Sequence, residues 1–395
     1  MRHVKRSCLS LALLAATCAQ AAPPAFRDRR DALPGRHSYT GGWEHFVGGG
    51  GAIFDCNGDA LPDIFAAGGD AAAQLFINRS SIGGDLAFEA ADAPSMTGVT
   101  GAYPLDINGD AHPDLVVLRT GPDQILRGEG NCAFSLPEWA PEFGDHWSTA
   151  FSATWEPGAD WPTLAFGHYV DRNDPDGPFE ACDANHLYRF GAKGYGRPHL
   201  LKPGYCALSI LFSDWRRRGR ADLRISNDRH YYVRGGSEQM WFMPEPRPLT
   251  AADGWEAISI WGMGIASEDI DGDTRPDVVL TSMGDQLMMI QDAEGRYEMA
   301  PYAIGAFAQR PHIGDDGRPS TGWHAEFADV DNDGRSDLFI AKGNVDQMPS
   351  NAMRDPNNLL MRRADGTFSE AGAFSWLWTM GRSRGGGLSD FNLDG

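Results

Sequence analysis

The sequence predicts an all-β chain folded as a seven-bladed β-propeller, with the last blade truncated at the C-terminus. Three observations carry that prediction. A short loop pattern, acidic in most copies, begins at positions 55, 106, 155, 214, 269, 329 and 390, so it recurs every 49 to 61 residues. The 48 glycines and 25 prolines are spread along all 395 residues, which suits many short strands joined by turns. Beyond the N-terminus no long stretch has helical periodicity. A repeat of this length built from several short strands is a propeller blade, and seven repeats make seven blades.

Taken in chain order, the N-terminus comes first. Arg2, Lys5 and Arg6 precede the apolar run Leu9 to Ala16, and Ala19-Gln20-Ala21 has the small-x-small form of a cleavage site. Residues 1–21 therefore read as a secretory signal peptide, 22–36 as a linker and 37–395 as the propeller. The apolar run is too short to span a bilayer, and no later stretch reaches the roughly 18 apolar residues a membrane helix needs. No transmembrane segment is expected, and the mature chain is placed outside the cytoplasm, extracellular or periplasmic. Removing the signal takes away Cys8 and Cys18 and leaves Cys56, Cys132, Cys182 and Cys206. An even count in an oxidising compartment allows disulfides in three connectivities. Cys182–Cys206 is the most local pair and the preferred one; Cys56–Cys132 then follows by elimination.

Four loops share one spacing. They place Asp55, Asn57, Asp59 and Asp63; Asp106, Asn108, Asp110 and Asp114; Asp269, Asp271, Asp273 and Asp277; and Asp329, Asp331, Asp333 and Asp337 at positions 1, 3, 5 and 9. A short apolar run follows each loop. Hard oxygen donors at alternate positions of a tight turn can wrap one Ca²⁺, which takes six to eight oxygens. About four calcium sites are therefore expected, with the carbonyl near position 7 (Leu61, His112, Arg275, Arg335) completing each shell. An EF-hand is excluded, because its bidentate Glu at position 12 is replaced by Ala66, Val117, Leu280 and Ile340. Plain Asx-rich turns that bind nothing are the competing explanation, and four copies of one spacing argue against it.

The other three loops are degenerate. Asp214 to Asp222 keeps positions 1 and 9 but has Arg216 and Arg218 at 3 and 5, whose guanidinium groups are expected to pair with the two aspartates in place of an ion. Trp155 to Thr163 has no carboxylate at any ligand position and should be metal-free. The last copy begins at Asp390-Phe-Asn392-Leu-Asp394, where the sequence stops, so the ring is expected to be open or poorly closed.

The formal net charge of −20 repels nucleic acid and anionic membranes and attracts cations. The stretch Arg216 to Arg220 is too small to reverse that. His168, Asp171, His186, His199, His230 and His324 are acid–base candidates, but no pair of them forms a recognisable catalytic motif. Trp43, Trp155, Trp161, Trp215, Trp255, Trp261 and Trp323 read as inter-blade packing, with a sugar-stacking platform as the alternative. His186, Tyr188, His230, Tyr231 and Tyr232 could decorate the mouth of the central channel. Each blade should be a four-stranded antiparallel sheet whose loop joins its first two strands. The small-residue strand before the loop, as at Gly48 to Ala52 and Gly385 to Gly387, should line the channel.

These loops resemble the FG-GAP/VCBS repeats of integrin α-subunit propellers. The match is closer to the cartilage-acidic-protein (ASPIC/UnbV-associated) type. Gly262-Met-Gly-Ile-Ala-Ser-Glu-Asp269, Gly322-Trp-His-Ala-Glu-Phe-Ala-Asp329 with Leu338 to Gly343, and Ser383-Arg-Gly-Gly-Gly-Leu-Ser-Asp390 carry it, and Gly167 to Asp171 and Cys182 to Tyr188 are similar to that family's third blade. The resemblance covers roughly residues 40 to 395. It implies an extracellular or periplasmic calcium-binding module used for adhesion or for protein and glycan contact, and nothing in the sequence demands an enzyme. A carbohydrate-active enzyme of the polysaccharide-lyase kind, with its site at the channel mouth, is the alternative.

Overall fold

The computed structural model describes residues 24–91, 95–228, 233–284, 286–307, 319–345, 352, 355–377 and 381–395. The signal-peptide reading of 1–21, together with His230, Tyr231 and Tyr232, lies outside them. Among the described residues there is no α-helix, only strands and four short 3-10 turns.

Among the described residues the strands form six four-stranded antiparallel blades, the second and third of which are hydrogen-bonded into one eight-stranded sheet. The first holds β1 (Gly51–Phe54), β2 (Asp63–Ala66), β3 (Gln74–Asn78) and β4 (Phe88–Ala91). The second holds β5 (Val99–Leu105), β6 (Asp114–Gly121), β7 (Gln124–Gly128) and β8 (Phe134–Ser135). The third holds β9 (His146–Thr154), β10 (Thr163–His168), β11 (Asn185–Tyr188) and, after a small hairpin β12 (Phe190–Gly191) and β13 (Gly194–Tyr195), β14 (His199–Leu201). The fourth holds β15 (Ala207–Ser213), β16 (Asp222–Asn227), β17 (Gln239–Phe242) and β18 (Arg247–Pro248). The fifth holds β19 (Gly262–Glu268), β20 (Asp277–Ser282), β21 (Leu287–Gln291) and β22 (Tyr297–Met299), and the sixth β23 (Gly322–Ala328), β24 (Asp337–Lys342), β25 (Asn358–Arg362) and β26 (Phe368–Glu370). Each blade is a meander in sequence order, and Thr120 and Gly121 of β6 also pair with the start of β9.

The first strands of successive blades are neighbours: β1 with β5, β5 with β9, β9 with β15, β15 with β19 and β19 with β23. That radial order is a propeller. Its core is a set of layers between blades rather than one centre. Ala52, Phe65 and Leu75 of the first blade pack with Val99, Leu115 and Leu126 of the second, and Ala266, Val279 and Met288 of the fifth pack with Leu338, Ile340 and Leu360 of the sixth. Trp161 stacks on Phe190 at 3.9 Å, and Trp215 meets Trp255 edge-on at 5.8 Å, so these tryptophans serve packing. The channel is lined by Gly48, Gly50, Gly101, Gly264 and Gly385, as the small-residue pattern predicts. A Cβ on Gly264 would lie 2.1 Å from the Trp323 carbonyl, so the close approach of these strands requires glycine.

The terminal segment spans the remaining gap at its inner edge. Ser383 N–H donates to Lys342 O, and His324 N–H to Arg384 O, on the sixth-blade side. On the first-blade side, Arg384 Nε donates to Phe46 O at 2.8 Å and Asn78 Nδ2 to Phe391 O at 2.7 Å. The described residues 381–395 form no sheet of their own, and these few hydrogen bonds link the sixth blade to the first where an open or poorly closed ring was expected.

Both disulfides pair as the sequence favoured. Cys56, in the first loop, bonds Cys132, in the turn between β7 and β8; Cys182 bonds Cys206, just before β15. Each bridge joins one blade to the next.

Candidate metal-binding loops

Each acidic loop joins the first strand of a blade to the second, so the loops gather at one end of the ring. Arg217 of the fourth loop donates to Thr274 Oγ1 of the fifth at 2.8 Å, and Ser336 of the sixth donates to Glu268 at the edge of the fifth.

The ninth-position aspartates open the second strands and are buried: Asp63, Asp114 and Asp277 are 0% exposed and Asp337 1%. Both oxygens of each accept a backbone N–H. Asp277 Oδ2 takes Ile270 N at 2.8 Å and Oδ1 takes Gln291 N at 2.7 Å. Asp63 clamps Cys56 and Asn78, Asp114 clamps Ile107 and Gly128, and Asp337 clamps Val330 and Arg362 in the same way. The ninth aspartate therefore ties its loop to the third strand of its blade. Burial pushes all four carboxyls up, those of Asp114 and Asp337 to about 6.

The first-position aspartates cap the turn. Asp55 accepts from Asn57, Gly58 and Asp59 through Oδ1 and from Ala60 through Oδ2; Asp106, Asp269 and Asp329 do the same with fewer donors. The chain passes through left-handed backbone at Gly58, Gly109, Gly272 and Asn332, which accounts for Gly or Asn at the fourth position. The fifth-position carboxylates Asp59, Asp110, Asp273 and Asp333 accept the N–H of the seventh residue.

Positions 1, 3 and 5 converge. In the fifth and sixth loops one oxygen each from Asp269, Asp271 and Asp273, and from Asp329, Asp331 and Asp333, lie within 4.8 Å of one another. Asp277 and Asp337 stand outside those groups. In the first and second loops Asn57 and Asn108 donate to Asp59 and Asp110 at 3.0 and 2.9 Å. Arginines reach the outer oxygen of the fifth-position carboxylate in three loops: Arg127 on Asp110, Arg275 on Asp273 and Arg335 on Asp333. Oδ1 of Asp331 is buried and accepts no hydrogen bond. A carboxylate oxygen in that state, beside two further carboxylates, suits a hard divalent cation.

The degenerate loops keep the turn and change its chemistry. Asp214 accepts the backbone N–H of Arg218 and Gly219. The expected pairing of Arg216 and Arg218 side chains with Asp214 and Asp222 is not what the structure shows. The Arg216 guanidinium lies 4.2 Å over the Trp215 ring and donates to Asp253 O, while Arg220 contacts Asp222 at 3.2 Å. The neighbouring Trp215 offers a flat face that holds the guanidinium, and its Nε1–H donates to Asp222 Oδ2 at 3.0 Å. In the third loop Thr163 replaces the ninth aspartate and donates to Glu156, which Arg189 also contacts.

The acid–base candidates scatter. His199 is exposed on β14, and His324 sits beside the channel 3.3 Å from Glu326. His186 and Tyr188 are buried within the third blade, at 7% and 2% exposure, rather than placed at the channel mouth. His168 and His186 do come together, with a partner that sequence reasoning missed, His146 at the start of β9. The three rings lie 4.5 to 4.6 Å apart, centroid to centroid.

A family model described as FG-GAP-like repeat matches residues 55–117 and 269–340, which contain all four intact loops. Both stretches carry FG-GAP-like repeats. No curated protein matches the chain. Similar solved structures include BBS1N in complex with ARL6DN, at 11% identity and TM-score 0.45 over 85% of this chain and 93% of that one. An Agrocybe aegerita lectin that recognises non-reducing terminal N-acetylglucosamine is similar at 14% identity and TM-score 0.42 over 82% of this chain and 79% of that one. AofleA from Arthrobotrys oligospora is similar at 14% identity and TM-score 0.43 over 83% and 88%. At these identities and scores the likeness gives no argument about function.

Proposed function

We propose that the chain is a secreted or periplasmic, calcium-stapled propeller of the cartilage-acidic-protein type that presents its loop face to an extracellular protein or glycan. The observation that carries the calcium reading is the convergence of one oxygen each from Asp329, Asp331 and Asp333 within 4.8 Å, beside an Asp331 Oδ1 that is buried without a hydrogen-bond donor. Two disulfides fit an oxidising compartment. Among the described residues no helix is long and apolar enough to cross a membrane. Asp55 to Asp59, Asp106 to Asp110, Asp269 to Asp273 and Asp329 to Asp333 would supply the carboxylate and amide oxygens, and the ninth-position aspartates keep lone pairs beyond those their N–H partners use. Extracellular modules hold calcium at roughly 10⁻⁴ to 10⁻³ M. At about ten times that dissociation constant each site adds about 1.4 kcal/mol.

Among the described residues the loop face offers a groove between the fourth and fifth blades whose lining sets Arg216, Arg217, Arg218, Arg275 and Arg296 beside Asp253 and Glu294. A glycan array of neutral and acidic sugars, probed with calcium and with chelator, tests the reading. Calcium-dependent binding that falls at least tenfold in an Arg217→Glu, Arg218→Glu double variant is the expected result. Binding that survives both chelator and the double variant would remove the loop face as the contact surface, and a blank array would remove the glycan half of the proposal.

A further inference from the structure

A second metal site, independent of the acidic loops, is built into the third blade. His146, His168 and His186 stand on the neighbouring strands β9, β10 and β11. They lie at the end of the blade away from its loop at 155–163, where β6 pairs with β9 and Gly121 faces His146. A bulge between Gly167 and His168 sets His168 opposite Ser148. One nitrogen from each of the three rings lies within 4.8 Å of the other two.

The surroundings fix which nitrogen is available. His146 Nδ1 lies 2.6 Å from Asp183 Oδ2, so that nitrogen carries the proton and donates it to the carboxylate. Ser148 gives its hydroxyl hydrogen to Asp123 Oδ2 at 2.7 Å, so toward His168 Nδ1, 3.0 Å away, it accepts. Both rings therefore direct their lone pair through Nε2. The Tyr188 hydroxyl oxygen lies 3.4 Å from His186 Nδ1 and can accept its N–H, the tautomer that leaves the Nε2 lone pair of that ring for a ligand as well. His168 is 1% exposed, and its Nε2 is buried with no partner. Ring packing alone accounts for the contacts between the three imidazoles but leaves that sealed lone pair unexplained, and a buried acceptor without a donor is costly.

We propose that His146, His168 and His186 bind one divalent transition-metal ion of the Zn²⁺ class through their Nε2 atoms. Imidazole selects borderline ions such as Zn²⁺, Cu²⁺ and Ni²⁺ over Ca²⁺. Three neutral imidazoles with carboxylate or hydroxyl partners on their far nitrogens form a metal-binding set with its supporting shell. Asp183 and the Ser148–Asp123 pair are that shell. With Zn–N bonds of about 2.0–2.1 Å, a tetrahedral ion needs ligand nitrogens about 3.3 Å apart, so the rings close on it by small side-chain rotations and leave a fourth position for water or an external ligand.

The test uses the untagged chain from residue 22 onward with calcium held at saturation, so that the acidic loops are filled. Calorimetric titration with Zn²⁺ should show uptake of one ion per chain, at least tenfold weaker in His146→Gln and in His186→Gln, with the calcium response of both variants unchanged. Co²⁺ added to the unaltered chain should give the intense visible bands of a tetrahedral, nitrogen-ligated ion, a readout that does not depend on any variant folding. Absence of stoichiometric uptake, equal affinity in the variants, or the faint spectrum of octahedral Co²⁺ would each overturn the assignment.

Discussion

Asp277→Ala is expected to lower the unfolding free energy by about 2–6 kcal/mol, and to do so in chelator as well as in calcium. The substitution removes one side chain but strands two buried donors, the N–H groups of Ile270 and Gln291, that the carboxylate holds at 2.8 and 2.7 Å. Each buried donor left without an acceptor costs about 1–3 kcal/mol. The position is sealed at 0% exposure, so water does not replace the lost acceptor. Asp271→Ala, two positions into the same loop, removes an exposed carboxylate and should cost stability only when calcium is present. Urea denaturation of the two variants, with and without chelator, separates the roles. A loss below about 1 kcal/mol for Asp277→Ala in chelator would mean that the ninth aspartate acts through a metal alone.

Removing the Cys56–Cys132 bridge should cost about 4.5 kcal/mol, against about 3.5 kcal/mol for Cys182–Cys206, on the chain-entropy account. The bridges close segments with sequence separations of 76 and 24 residues, and the longer one restricts the unfolded chain more. The first bridge also holds the second residue of the first acidic loop, whose N–H is clamped by Asp63. Denaturation of the paired Cys→Ser variants gives the ranking. A larger loss for the Cys182–Cys206 pair would show that native contacts at that bridge outweigh chain entropy.

The acidic loops were legible because their spacing is dictated locally. The first aspartate must cap a turn four or five residues long, and the fourth residue must tolerate left-handed backbone, so Asp-x-Asn/Asp-Gly/Asn-Asp is written in the sequence itself. The ninth aspartate was legible as part of that pattern but not as a clamp. Its partners Asn78, Gly128, Gln291 and Arg362 belong to the third strand, some 14 to 25 residues on, and only strand register brings them near. The same reason hid the histidine cluster. His146, His168 and His186 share no spacing motif and meet because three adjacent strands and one bulge align them. The Arg216 side chain was misassigned because charge was weighed and the adjacent Trp215 face was not. The C-terminal segment was read as the start of a blade without its value as a bridge, since Arg384 and Phe391 act on residues more than 300 positions away.

The most direct test of the central claim is a thermal melt of the purified chain from residue 22 onward in chelator and in millimolar calcium, repeated on Asp271→Ala and Asp331→Ala. Calcium should raise the melting temperature of the unaltered chain, and each substitution should reduce that rise while leaving the melt in chelator nearly unchanged. An identical melting temperature with and without calcium would contradict the account and leave the acidic loops as metal-free turns.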